Sequence, residues 1–230
     1  MEVVTVTEPG KQNAIDLIAK LLAKAEGCAG TPEGETAENC AFHLLAKHGI
    51  AYNDVRPPSQ TGPDIAVRED FPLHGDYLHQ QIILLARIAS ALHCSSAYWL
   101  HSQHSATVEI YGVPRHLDRV RLLHRPLLTR MLRQATTSAP PDRNHQISWM
   151  QGFSLSVRAR LRTAETAAAT EADNRTGSDL QTRTLAADAK RAEIAKKQAL
   201  PTLRRSAYNP PIDSGSFTEG YRAGENTDLI

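Results

Sequence analysis

Near the start of the chain, apolar residues recur every three to four positions. Ile15, Ile18, Leu22 and Ala25 share one stripe, and Leu17 and Leu21 widen it, which is the period of an amphipathic helix. Gly27 ends the pattern. Thr31-Pro32 opens a second helix, with Thr31 as cap and Pro32 in the first helical position. Glu33 and Glu35 lie in its first turn, where the helix dipole favours anions. Ala37, Cys40, Ala41, Leu44, Leu45 and His48 are assigned to its buried side, and Gly49-Ile50 closes it as a left-handed cap with a fold-back contact. The pattern predicts a helical hairpin over residues 1–55.

Residues 53–75 are rich in proline and glycine, so residues 56–75 are expected to be a linker. Asp76 is placed as the cap of a helix from Tyr77 to Leu92, with Ile82, Ile83, Leu85, Ala86 and Ala89 on its core side. The stretches 96–101 and 107–113 are rich in β-branched and aromatic residues and flank a polar turn, which predicts a β-hairpin. A helix over 115–134 should kink or split at Pro126. A long helix over 145–171 carries the stripe Trp149, Phe153, Val157 and Leu161, read as core packed on the sheet. A further helix over 185–200 ends at Pro201, and Ser216 with Glu219 has capping-box spacing for a last short helix. The expected fold is α+β and mostly helical. It has the N-terminal hairpin and, over residues 76–230, a domain with a small antiparallel β-hairpin packed on helices.

The segments Lys20-Leu21-Leu22-Ala23-Lys24-Ala25, Glu35-Thr36-Ala37 and Lys47-His48-Gly49-Ile50 resemble the opening of a bacterial and phage family known only as domain of unknown function 2786. The similarity is clearest over residues 11–55. It continues more weakly through Leu85-Ala86-Arg87-Ile88-Ala89, the Trp149/Phe153 helix and the glycine-rich last helix, features similar to actinobacterial and actinophage members. The turn Cys28-Ala29-Gly30 departs from the family pattern. The resemblance implies no reaction, cofactor or substrate, only a context of phages and mobile elements.

Composition narrows the chemistry. The net charge is +1, so no global field points to nucleic acid or anionic lipid. The charge is unevenly spread, however. Between Pro114 and Arg162 there are ten arginines, no lysine, and only Asp118 and Asp142 as acids. Arg115, Arg119 and Arg133 fall near one helical face, and Arg158 and Arg162 on the next helix. Arginine pairs bidentately with phosphate, so these five are the candidate nucleic-acid contacts. The competing reading is a surface whose arginines pair with the protein's own acids, Glu165, Glu171 and Asp173 among them.

Cys40 and His43 lie three residues apart on one helix, and His101 and His104 form a second ligand-like pair near His93-Cys94. Zinc would need three or four such groups to converge. With no CxxC and no HExxH, the expectation is no cofactor, with zinc as the alternative. No nucleophile elbow, phosphate-binding loop or dinucleotide fingerprint occurs, so an enzyme is the less favoured reading. Three scattered cysteines suit a reducing cytoplasm, no apolar run has membrane-spanning length, and no signal peptide is expected. The resulting expectation is a non-enzymatic accessory protein of a phage or mobile element, acting through protein or nucleic-acid contacts. The alternative is a small metal-dependent hydrolase or nuclease.

Overall fold

The computed structural model describes residues 65–204, 208–227 and 229, together with residues 14, 17–22, 24, 33, 36, 37, 40, 41 and 44. The chain divides into two compact units, Met1–Gly62 with Ile230, and Pro63–Leu229.

In the first unit, every residue described within 14–24 and 33–44 is helical. Ala14, Ile18 and Ala41 form a small buried cluster, with Ala19, Leu21, Leu22 and Leu44 packed against it. Lys24 Nζ lies 2.8 Å from Glu33 Oε1. Two assignments to the buried side are corrected. Leu17 is 49% exposed, and Cys40 is exposed. The buried stripe of the second helix runs through Ala37, Ala41 and Leu44, and a residue one position before Ala41 is turned about 100° away from it. The expected stops at Gly27, Gly49 and Ile50, and His43, lie outside the described residues.

The second unit runs β1 (Val67–His74), α1 (Leu78–Ala91), β2 (Ser95–Ser102), β3 (Ser105–Gly112), α2 (Pro114–Ser138), α3 (Arg143–Thr176), α4 (Leu180–Ala199) and α5 (Ser214–Glu225). The sheet is antiparallel, ordered β1-β3-β2, with both Phe71 and Tyr98 opposite Val108. Strand β1 corrects the expected linker. Phe71 and Leu73 alternate onto the core face, while Pro72, which has no N–H to donate, is tolerated because β1 is an edge strand. Among the described residues, no helix is long and apolar enough to cross a membrane.

The core lies between the sheet and the helices. Phe71, Leu73, Ala106, Val108 and Ile110 meet Leu85 and Ile88 of α1 and Leu117, Val120 and Leu127 of α2. Trp149 and Phe153 are fully buried and stacked, with ring centroids 5.4 Å apart. Burying each such side chain stabilises the fold by roughly 2–3 kcal/mol. Their helix packs chiefly on α1, α2, α4 and α5 rather than on the sheet, as the stripe was expected to. The second face of the sheet carries Ala97, Glu109 and Tyr111, all buried, and α4 runs against β2 and β3 there. On that face Tyr111 donates its hydroxyl to Glu109 at 2.6 Å.

Three element ends differ from expectation. Helix α2 continues through Pro126, which is exposed, so the carbonyl it leaves without an N–H partner can turn to water. Helix α1 begins after Tyr77 in a left-handed conformation (φ 55°), and no side chain of Asp76 caps it. Helix α5 is capped by Asp213, which accepts from the Ser216 N–H at 2.7 Å, so Ser216 is a first-turn residue and not the cap. The glycines of α5 serve packing. A Cβ on Gly220 would meet the Trp149 backbone, and one on Gly224 would lie 2.8 Å from the Phe153 carbonyl oxygen.

Candidate anion-binding site

The ten arginines between Pro114 and Arg162 do not act alike. Arg115 bonds the fully buried carboxylate of Asp188 on α4, which also takes Arg191 at 2.7 Å. Arg119 grips both oxygens of Glu165 on α3. Arg121 bridges Glu69 and Asp118. Arg160 donates to the carbonyls of Gly224 and Thr227 and ties down the end of α5. Arg143 lies 4.8 Å over the Tyr77 ring. These five are structural, and Arg115 and Arg119, two of the five candidate contacts, are among them. The acids they use are 73 and 46 residues away in sequence.

Arg158 and Arg162 are different. They stand one turn apart on α3, and among the described residues neither guanidinium has a carboxylate or hydrogen-bond partner. The Nε of Arg158 is buried and unpaired. Beside Arg158 lies Arg87 of α1, which donates to the Gln151 carbonyl at 2.7 Å and the Ser154 hydroxyl at 2.6 Å. Burial, and then the nearby charge of Arg158, push Arg87 down to about 10, so its guanidinium stays charged at neutral pH. Two half-buried cations side by side with no acid between them are stabilised by any anion that joins them. Arg133 is exposed on α2, about four turns beyond Arg119, and is not brought to this group.

Arg162 also borders a cleft of about 420 Å³. Ser90, Ser95 and Thr166 supply hydroxyls to its wall, and His93, Glu165 and Glu193 supply ionisable groups. His93 has φ 61°. It occupies the left-handed position after α1, where the Cys94 N–H returns to the Ala89 carbonyl at 2.9 Å. Glycine is usual there, and a side chain costs of order 1 kcal/mol. Here the side chain is used, with Nε2 3.5 Å from Glu165 Oε2. Burial raises the Glu165 carboxyl, but His93 and Arg119 outweigh it and hold it near 2. Behind His93, at 5.4 Å between ring centroids, His116 bonds Asp188 at 2.9 Å. Burial depresses the His116 imidazole, with Asp188 opposing. The Glu193 carboxylate is fixed by the Ser95 hydroxyl at 2.6 Å and by Lys196 at 2.9 Å; these bonds, Ser95 first, hold it below the usual carboxylate range.

The metal candidates are dispersed. His101 Nε2 bonds the Thr107 hydroxyl at 2.9 Å, and His104 sits 3.6 Å from Asp76, both at the exposed β2–β3 turn. Cys40 belongs to the other unit, and His43 lies outside the described residues. Cys94 is buried and its thiol is pushed up to about 12, chiefly by burial. Among the described residues, no group of three or more His, Cys, Asp or Glu is arranged to hold a metal ion. Arg87, His93, Glu165 and Glu193 were not among the candidates read from sequence. The usable signal for Arg87 was an arginine inside the apolar run of α1, which implies a guanidinium held partly in the protein. The other three have no local signature.

No curated protein and no solved structure matches the chain. Residues 13–51, in the first unit, match the family described as "Protein of unknown function (DUF2786)", the family that the Lys20–Ala25 and Lys47–Ile50 segments resemble.

Proposed function

We propose that this protein is a non-enzymatic accessory factor that binds nucleic acid through its second unit, on the α1–α3 face of Arg87, Arg158 and Arg162. One observation carries the reading. Four other arginines of the run are used by internal acids and carbonyls, whereas among the described residues the guanidiniums of Arg158 and Arg162 have no hydrogen-bond or carboxylate partner, and Arg87 is held beside Arg158. Phosphate diesters supply the missing charge in a geometry that guanidinium matches. A near-neutral chain with only three such contacts should bind modestly and with strong dependence on salt. The role we propose is that of a phage or mobile-element protein acting in the cytoplasm of its host, a context that the family resemblance supports.

The metal-dependent hydrolase alternative draws on no comparable observation, since both Glu165 oxygens are taken by Arg119. The test is fluorescence anisotropy with labelled oligonucleotides at low salt, comparing the parent with Arg158→Ala/Arg162→Ala. The reading expects binding by the parent and a loss of at least tenfold in the variant. Equal binding by the two would move the contact elsewhere.

A further inference from the structure

We infer that the cleft beside Arg162 seats one unpaired nucleotide, with an amino-bearing base such as cytosine inside the cleft and its phosphate on Arg162, while Arg158, one turn away on α3, takes the adjoining phosphate of the strand. The inference rests on the nucleic-acid reading and adds to it the form of nucleic acid and the base. Three features of the cleft point this way. Its volume of about 420 Å³ lies in the range of small-ligand sites, roughly 300–1,000 Å³, and suits one nucleotide. Its wall mixes Arg162 with Glu165 and Glu193, so a bare phosphate would face two carboxylates as well as one guanidinium. A nucleotide divides its charge between two ends, which resolves that conflict. The phosphate takes the arginine end and the base takes the far wall.

Glu193 selects the base. Its carboxylate is held in place by Ser95 and Lys196 and accepts hydrogen bonds only. Cytosine presents its N4 amino group as a donor, where thymine presents the O4 acceptor. Glu193 therefore accepts from the one and repels the other. The Ser90 hydroxyl can donate or accept at the remaining edge, and the Thr166 hydroxyl, which donates to the Arg162 carbonyl at 2.9 Å, is left as an acceptor. A base stacked in a duplex cannot enter such a cleft, so the seat serves single strands, ends or bulges.

The experiment measures anisotropy on the full chain with labelled dC12, dT12 and a 12-base-pair duplex. Ser90→Phe and Thr166→Phe each fill the cleft from an exposed helix position, and Glu193→Gln removes the charge but keeps the shape. The expected result is dC12 bound about tenfold more tightly than dT12. Each filling variant should lose about tenfold on dC12 while duplex affinity, which reports an intact fold, stays unchanged. Glu193→Gln should bring dC12 and dT12 together. Competition with free CMP decides the source: displacement of dC12 means that a free nucleotide occupies the same seat, and no displacement means that the strand is required. If both filling variants bind dC12 like the parent while Arg158→Ala/Arg162→Ala still weakens binding, the cleft is not the seat and the nucleic-acid reading stands without it. If the parent binds none of the three probes at low salt, the nucleic-acid reading fails and the inference with it.

Discussion

Gly220→Ala tests how closely α5 lies on α3. A Cβ at that position would fall on the Trp149 carbonyl, 2.7 Å from its carbon and 2.9 Å from the Trp149 Cα. Unstrained carbon contacts stand about 3.5–4.0 Å apart, so one helix must retreat by about 1 Å. Every atom in the way is backbone within a helix, so no rotamer change relieves the clash. The retreat also pulls Gly224 and Thr227 from Arg160. Overpacking of this kind costs about 3 kcal/mol at the upper end of its usual range, and the better helix propensity of alanine returns about 1 kcal/mol. The net loss is roughly 2 kcal/mol, a fall of about 4–8 °C in the melting temperature of a unit this size. Thermal unfolding followed by circular dichroism reads it, and hydrogen exchange should show α5 losing protection first. Gly215→Ala, whose nearest neighbour is Asp213 Oδ1 at an ordinary 3.5 Å, is the control and should melt like the parent or slightly higher. A Gly220→Ala protein that melts at or above the parent would refute the close packing.

Three further outcomes are expected. Burial holds the His124 imidazole down from 6.5 to about 4, so as pH falls the unfolded chain takes up the proton first. Stability should therefore be full above about pH 6.5 and fall by roughly 3 kcal/mol as pH drops to about 4, with His116 adding in the same direction. Urea titrations across that window should show the slope, and His124→Leu should flatten it. Arg119→Ala strips the main partner from Glu165 and should cost roughly 3 kcal/mol in urea unfolding, part of which Glu165→Gln in the same background should restore; equal loss in single and double variants would count against the pairing. Limited proteolysis should cut first between residues 55 and 66, ahead of β1, and a first cut inside 67–74 would mean that β1 is not held in the sheet.

Helices α1 and α3 were legible because each buries an apolar stripe with a 3.6-residue period, and α4 and α5 from their stop and cap residues. The β2–β3 hairpin was legible from its β-branched and aromatic residues around a polar turn. Strand β1 was not. In Val-Arg-Glu-Asp-Phe-Pro-Leu-His only Phe71 and Leu73 are buried, and the solvated edge position admits charges and a proline that read as a linker. Pro126 does not split α2 for a related reason, because a helix with one side in water tolerates a missing hydrogen bond that a buried one would not. The caps failed by a few residues: Asp213 and Ser216 both fit a cap, and only the backbone shows which one ends the turn.

The arginine run marked candidate anion contacts but not which of them stay free of internal acids. Arg115 and Arg119 look like Arg158 and Arg162 along the chain, and nothing local says that Asp188 and Glu165 will fold back on the first pair and not the second. Arg87 joins the site only because α1 and α3 pack together. His93 hid in a position where helix-ending rules expect glycine.

The salt dependence of nucleic-acid binding tests the central claim most directly. Each phosphate contact releases close to one counterion, so a plot of log affinity against log salt has a slope set by the number of contacts. Arg158→Ala/Arg162→Ala removes two of the three proposed contacts. It should make the slope shallower by about 1.4 on single strands or about 1.8 on duplex, with the melting temperature close to that of the parent. An unchanged slope would contradict the account, as would a parent protein that binds nothing at low salt.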